Sequence, residues 1–210
     1  KKLGIAVRLN TEVHAKFMRS VLHQYDVCVI AAGATLDRSR YAHIKGAERM
    51  LDGLDVAHGR CKTGRRVVIV GGGKLGLTLA ESLRKHQEAE VTVVEPGKRI
   101  AGDVKPSFKW RHATWVEELG ITCLTSSSLI EVAADGVKVR NARGEEVYIA
   151  ADSVIQADGA TPAHPMFHEF EWMIDELHFD ELRLGEPRRR FDVAHQRRHA
   201  RVRLRVTDDG

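Results

Sequence analysis

Apolar residues occur in short continuous runs along most of the chain, and polar or glycine-rich stretches separate these runs. Runs of this kind are typical of strands buried on both faces of a parallel sheet. They predict the strands Asp26–Ile30, Arg66–Val70, Val91–Glu95, Ile121–Leu124 and Ser153–Gln156. A further short strand is predicted at Ile5–Leu9, and Thr11 is the expected N-cap of a helix that follows it.

Helical spacing fills the interval between two of these strands. Leu75, Leu79, Ala80 and Leu83 fall on one face of a helix that is expected to run to about His86. Strand, helix and strand over residues 66–95 predict one βαβ unit, and therefore an α/β fold.

A second helix and a meander follow this unit. Four residues recur at helical spacing, and Gly120 is well placed to end their helix in the left-handed conformation; they are Phe108, His112, Trp115 and Leu119. Three segments then alternate with period two, which predicts a three-stranded meander; they are Leu129–Ala134, Val137–Arg140 and Glu146–Ile149. Asp135-Gly136 is the expected two-residue turn of the first hairpin. The segment Leu36–Lys62 shows no clear period and is interpreted as a crossing connection with room for one helix.

The composition fits one sizeable globular domain or two small ones. The chain has 210 residues, of which 43% are hydrophobic. No apolar run approaches the ~20 residues that span a bilayer, and the N-terminus shows no export signal. We therefore expect a cytoplasmic chain without a membrane partner, and its start at Lys1 indicates part of something larger. Cys28, Cys61 and Cys123 lie far apart and form no CxxC pair, so we expect no metal site and a reducing compartment.

Positive charge is concentrated near the C-terminus. The formal net charge is +4, and the arginines from Arg183 to Arg205 account for the whole excess. Such a segment can bind the phosphates of nucleic acids. Phe191 is the one aromatic residue that interleaves with these arginines, so a solvated basic tail is the favoured interpretation over a nucleic-acid partner.

The residues that indicate a ligand are concentrated in the turn between Val70 and the helix that is expected to run to about His86. Gly71, Gly72, Gly73, Lys74, Leu75 and Gly76 have the spacing GxGxxG. In this motif the first glycine permits the tight turn, the second lets the backbone approach a pyrophosphate, and the third allows close packing of helix on strand. The helix N-terminus then presents unpaired N–H groups to the phosphates. Glycine turns of this kind also occur for packing alone, but the flanking strand and helix favour dinucleotide binding.

The next strand ends in Glu95, at the position of a ribose-binding carboxylate. A carboxylate there accepts hydrogen bonds from the adenosine ribose hydroxyls and repels a 2′-phosphate, which favours NAD over NADP. Lys98 and Arg99 follow directly and are the cations that an NADP site would use, so NADP is the open alternative; the same two residues also fit an ordinary solvated loop.

Two short alanine–glycine motifs flank the glycine turn along the chain, Ala31–Thr35 (AAGAT) and Gln156–Pro162 (QADGATP). This order resembles the flavoprotein reductases built from two dinucleotide-binding domains, in which an inserted NAD(P) domain interrupts an FAD domain and the two motifs mark the crossovers. More narrowly, residues 3–162 are similar to the C-terminal half of the group of 2,4-dienoyl-CoA reductase, trimethylamine dehydrogenase and the N-methylproline demethylase-like enzymes. The segments Glu176–His178 and Pro187–His195 are similar to the closing segment of that group.

The resemblance implies a Rossmann-like NAD(P)-binding domain with a β-meander, inserted in an incomplete FAD-type domain. Residues 1–63 would be the first piece of the FAD-type domain, 64–151 the NAD(P)-binding domain, and 152–210 the second piece with the basic tail. From the crossover motifs, Ala32, Gly33 and Gly159 join the expected cofactor-binding residues. The implied function is that of the nicotinamide-binding part of a flavin-dependent oxidoreductase, which positions NAD(P)H for hydride exchange with a flavin.

Two departures from the group concern FAD. The FAD domain of the group begins with its own GxGxxG motif, whereas this chain has one such motif, and Glu186 directly precedes Pro187 where the group has a Gly-Asp pair further upstream. We therefore do not expect FAD to bind this chain alone, and a flavin- or iron-sulfur-containing N-terminal part or partner subunit would supply it. The alternative is a catalytically inactive, degenerate or truncated dinucleotide-fold module that binds ADP or nothing and serves as a structural or partner-binding domain.

Other chemistry-bearing residues predict no further site. The pairs His164/His168 and His195/His199 have the spacing HxxxH but no third ligand, so they are interpreted as surface histidines. Trp110, Trp115 and Trp172 are interpreted as packing residues. No residue is assigned a catalytic role.

Overall fold

The computed structural model describes residues 4–21, 24, 33–162, 192–196 and 199–203. The chain divides into two compact units. One unit is Thr35–Ala160, and the other combines Lys1–Ala34 with Thr161–Gly210. The predicted strand Asp26–Ile30, Trp172 and the predicted closing segments up to Phe191 lie outside the described residues.

A parallel sheet of five strands forms the centre of the unit Thr35–Ala160. The strands are β2 (Leu51–Asp52), β3 (Arg66–Val70), β4 (Glu90–Glu95), β5 (Thr122–Thr125) and β9 (Ser153–Gln156). Their order in the sheet is β2-β9-β3-β4-β5, and every neighbouring pair is parallel. β3 and β9 have the predicted bounds, and the predicted α/β class with its βαβ unit is confirmed.

Helices cover one face of this sheet. They are α2 (Gly53–Ala57), α3 (Lys74–Gln87) and α4 (Pro106–Glu118). Leu79, Ala80 and Leu83 of α3 are buried against Val67 and Ile69 of β3, so the predicted apolar helix face is the packed face. α4 ends before Gly120, whose φ of +62° is the left-handed conformation predicted from its position.

A three-stranded antiparallel meander covers the other face. It consists of β6 (Ser128–Val132), β7 (Gly136–Arg140) and β8 (Glu146–Ala150). Val68 and Val70 of β3 pack there against Val137 and Val139 of β7. Because successive side chains of a strand point to opposite faces, one apolar strand supplies both cores.

The first hairpin of the meander corrects a prediction. β6 ends at Val132 and β7 begins at Gly136, and the register pairs Val132 with Val137. Gly136 is therefore a strand residue and not half of a two-residue turn. A Cβ at Gly136 would lie 2.4 Å from the carbonyl oxygen of Ile149, so the close approach of β8 is what requires glycine there.

The second unit contains short elements. They are α1 (Ala15–Val21) and the antiparallel pair β11 (Asp192–Gln196) and β12 (His199–Arg203). The strand predicted at Ile5–Leu9 is wrong, since these residues form no strand and the side chains of Ile5, Val7 and Leu9 are exposed. Thr11 is not the N-cap of α1; its Oγ1 donates to the carbonyl oxygen of Leu9 instead.

A two-stranded sheet of β1 (Ala34–Leu36) and β10 (Ala160–Pro162) lies where the chain passes between the units. Within the described parts of the chain, none of the helices combines the length and the apolar character that a membrane crossing needs.

Candidate dinucleotide-binding site

The glycine turn lies at the carboxyl end of β3, between the ends of both neighbouring strands. Gly71 N donates to the carbonyl oxygen of Val94 on one side, at 2.9 Å. On the other side, Ala157 N donates to the carbonyl oxygen of Val70 at 2.8 Å. Gly71 is buried with φ +110°, a conformation that residues with a Cβ rarely adopt. In open α/β sheets, ligands bind at this edge, outside the carboxyl ends of the strands.

Three glycines of the turn are in contact with groups that a side chain would displace. A Cβ at Gly71 would lie 2.8 Å from Asp158 Cβ, and one at Gly72 would lie 3.0 Å from Glu95 Cβ. A Cβ at Gly76 would lie 1.9 Å from the carbonyl oxygen of Gly71. The third glycine therefore brings α3 onto the turn, and the first two leave bare backbone between two carboxylates. These contacts require glycine at all three positions for the packing of the turn itself.

Glu95 faces this turn. Its Oε2 accepts a hydrogen bond from Gly72 N at 2.7 Å, and its Oε1 accepts one from Gly97 N at 2.6 Å. A carboxylate offers about four lone-pair directions, so acceptor capacity remains on both oxygens for ribose hydroxyls. Lys98 and Arg99, the residues that favoured the NADP alternative, lie exposed in the loop that follows.

The N-terminus of α3 holds a carboxylate that the sequence did not predict. Gly73 is the N-cap and supplies no side chain, and the first turn closes with Leu77 N donating to Gly73 O at 3.0 Å. Lys74 N donates instead to Oδ1 of Asp103, at 2.8 Å. The loop after β4 folds back onto the turn, since Ala101 N donates to Gly72 O at 2.8 Å. No pattern in the sequence indicates this contact, because it depends on the path of that loop.

A second group beside the turn was also absent from the sequence analysis. Tyr41 Oη donates to Oδ2 of Asp158 at 3.0 Å, and Arg40 Nη2 lies 3.3 Å from the same oxygen. Burial raises the pKa of Asp158 above its usual range, although Tyr41 and Arg40 act in the opposite direction. Burial first, and then the neighbouring Asp158, raise the pKa of the Tyr41 hydroxyl. Tyr41, which lies within the connection Leu36–Lys62, is thus joined to Asp158 across 117 positions of sequence.

The remaining predicted residues fall in different places. Gly159 has φ +73°, and a Cβ there would lie 2.5 Å from Arg40 Cδ, so this motif packs directly on the Tyr41 segment. Gly33 is exposed with φ +86° and belongs to the other unit. Ala32 and the histidine pairs lie outside the residues whose side chains are described. Trp110 is 66% exposed, so its predicted packing role is wrong.

A family model matches residues 11–176, which is most of the chain. Its description is "Pyridine nucleotide-disulphide oxidoreductase". The chain belongs to this family. Members of the family bind FAD and NAD(P), and the glycine turn and Glu95 lie inside the matched range.

Individual relatives are longer oxidoreductases. The chain is 26% identical over 228 residues to a metal reductase of Desulforamulus reducens, with 93% of this chain and 33% of the relative covered. It is 28% identical over 167 residues to an NADH oxidase of Thermoanaerobacter brockii, with 77% of this chain and 25% of the relative covered.

A solved structure of 2-naphthoyl-CoA reductase in complex with 2-naphthoyl-CoA superposes with a TM-score of 0.65 at 32% identity. The match covers 80% of this chain and 25% of that one. The chain therefore spans a quarter to a third of the length of these oxidoreductases.

Proposed function

We propose that this chain is the nicotinamide-dinucleotide-binding part of a flavin-dependent oxidoreductase and that its preferred ligand is NAD(H). The observation that carries the proposal is the contact between the glycine turn and Glu95, in which bare backbone and a ribose-binding carboxylate meet at the carboxyl end of a parallel sheet. The family match supports a dinucleotide of this kind.

In this proposal the backbone amides at the start of α3 and the carboxylate of Glu95 bind different parts of the dinucleotide. The N–H groups at the start of α3 would bind the pyrophosphate, because the first amides of a helix have no partner within it. The Lys74 N–H would have to release Asp103 to take part. Glu95 would bind the adenosine ribose and oppose the 2′-phosphate of NADP. Bound NADH supplies the hydride for the reaction, and the protein orients the dinucleotide and excludes water around it.

The rest of the enzyme would come from outside this chain. We infer that the inserted NAD(P) domain, predicted as residues 64–151, extends over the unit Thr35–Ala160, because β2 and β9 belong to its sheet, and that the flanking residues belong to an FAD-type domain. A flavin- or iron-sulfur-containing part of the protein, or a partner subunit, would complete it. The motif order favours the group of 2,4-dienoyl-CoA reductase and trimethylamine dehydrogenase within the family.

Calorimetric titration of the chain with NADH and NADPH tests this function. We expect NADH to bind and NADPH to bind at least tenfold more weakly. In the variant Glu95→Gln, the loss of charged hydrogen bonds should weaken NADH binding by roughly tenfold or more. The difference between the affinities for NADH and NADPH should become smaller.

The matched control is Glu90→Gln, at the other end of β4, where an exposed glutamate lies 3.9 Å from Arg65 Nε and near Arg66, away from the glycine turn. This variant should bind NADH like the unaltered chain. Absence of heat with either ligand at millimolar concentration would exclude dinucleotide binding.

One observation favours the second candidate, a module with this fold that holds no dinucleotide. Asp103 bonds Lys74 N, so one amide at the helix N-terminus is already paired with a carboxylate of the chain itself. A purified protein that is colourless, binds neither nucleotide and reduces no dye with NADH would support this candidate.

A further inference from the structure

The order of strands in the central sheet changes direction between β3 and β9, which are hydrogen-bonded neighbours. From β3 the chain continues to β4 and β5 on one side and later returns as β9 on the other side. The sheet therefore reverses its winding between β3 and β9, and ligands of open α/β sheets bind at such a switch point. Gly71 follows β3 at this switch point, and Asp158 follows β9.

Two carboxylates flank the turn on opposite sides. Glu95 lies on the β4 side beside Gly72, and Asp158 lies on the β9 side beside Gly71. A dinucleotide has a central pyrophosphate and a ribose on either side of it. If the pyrophosphate lies on the turn and the adenosine ribose at Glu95, the second ribose falls on the β9 side.

One carboxylate oxygen of Asp158 is in contact with the side chains of two other residues, and the other carboxylate oxygen is not. Tyr41 Oη and Arg40 Nη2 both approach Oδ2. Oδ1 is buried and accepts no hydrogen bond from any other described residue, although the backbone N–H of Asp158 itself acts on the carboxylate. A buried acceptor without a donor is unfavourable, so it is uncommon in a folded protein unless a ligand or water satisfies it.

We propose, on the basis of the function proposed above, that Asp158 binds the hydroxyl groups of the nicotinamide-side ribose through Oδ1. Tyr41 and Arg40 are the positioning residues that hold the other oxygen and so set the direction of the carboxylate. Asp158 and Glu95 then bind the two riboses of the dinucleotide on opposite sides of the glycine turn.

Ligands of graded length test this assignment on the complete chain. ADP contains the adenosine ribose and the diphosphate, ADP-ribose adds the second ribose, and NADH adds the nicotinamide. In Asp158→Asn we expect the affinities for NADH and ADP-ribose to fall by roughly tenfold or more, with that for ADP unchanged. In Glu95→Gln we expect the affinities for all three ligands to fall.

The control for a generic loss of a tyrosine–carboxylate pair is Asp135→Asn. Tyr148 Oη of β8 donates to Asp135 in the meander, near Arg66 at the amino end of β3 and away from the turn, so this variant should bind all three ligands normally. Unchanged ADP binding also reports that Asp158→Asn is folded. Should the buried amide destabilise that variant, Asp158→Ala removes the oxygens without adding a donor.

The outcomes separate this inference from the proposed function. If the unaltered chain binds none of the three ligands, the proposed function fails. If it binds all three and Asp158→Asn leaves them unchanged, weakens ADP equally, or weakens NADH alone, only the assignment of Asp158 to the second ribose is overturned.

Discussion

Carboxylates around the glycine turn accept hydrogen bonds from two of its backbone amides. Glu95 takes the N–H of Gly72, and Asp103 takes the N–H of Lys74. The sequence predicted the first carboxylate, because the end of the next strand always lies beside such a turn. It did not predict the second, because Asp103 reaches the turn only through the fold of a loop that has no periodic pattern.

A substitution at Asp103 tests whether this carboxylate competes with a bound diphosphate. Asp103→Asn removes the negative charge at the N-terminus of α3. The interaction of such a charge with a helix N-terminus contributes about 0.3–1 kcal/mol. We expect NADH to bind a few-fold more tightly, measured by calorimetry. Asp55→Asn, an exposed acid paired with Arg60, is the control. Weaker binding in the Asp103 variant would instead make Asp103 part of the ligand site.

At the scale of elements, the buried strands and helices were predictable and the connections were not. β3 and β9 are continuous apolar runs whose side chains are covered on both faces, so pattern and structure agree. Ile5–Leu9 has the same apolar letters, yet in the described part of the chain nothing covers them. The Asp-Gly pair predicted a tight turn, whereas the register with β8 places Gly136 inside a strand.

The amino ends of β3 and β9 are joined by a contact whose strength depends on pH. Asp152 accepts hydrogen bonds from the backbone N–H and the guanidinium of Arg66, and the side-chain bond with Arg66 is the larger cause that lowers the pKa of Asp152 from 3.8 to about 2. A carboxyl whose pKa is lowered in the folded state stabilises that state above its unfolded pKa, and this stabilisation disappears as the pH falls through the folded pKa.

Asp152→Asn should therefore unfold at lower urea concentration than the unaltered chain at neutral pH. The difference in unfolding free energy should shrink between about pH 4 and pH 2, following the lowered pKa of Asp152. Urea titrations at several pH values measure it. In an Arg66→Gln background the same substitution should have a smaller effect. A difference that does not change with pH would argue against this contact as its source.

At the scale of the whole molecule, the unit Thr35–Ala160 contains both large apolar clusters, one under the helices and one under the meander. It also contains the glycine turn, Glu95 and Asp158. The ligand contacts proposed here therefore require no residue of the other unit. The chain as a whole spans a quarter to a third of the length of these longer relatives.

A chain reduced to residues 35–160 should fold on its own. We expect a single cooperative thermal transition and NADH affinity within a few-fold of that of the complete chain, because the core and the proposed site lie within this unit. Scanning calorimetry and NADH titration measure both. The unaltered chain, measured in parallel, is the reference, and a broad transition or lost NADH binding would show that the other unit is needed.

The sequence alone determined the α/β class, the order of strand, glycine turn and helix, and the position of the Glu95 carboxylate beside that turn, because these depend on local pattern and on neighbours joined by a short connection. Only the tertiary structure determined which residues that are distant in sequence lie beside the turn. Asp103 arrives through a folded-back loop, and Asp158 meets Tyr41 because β9 lies beside β3. Contacts of that kind arise from the pairing of distant strands and leave no periodic signal in the chain.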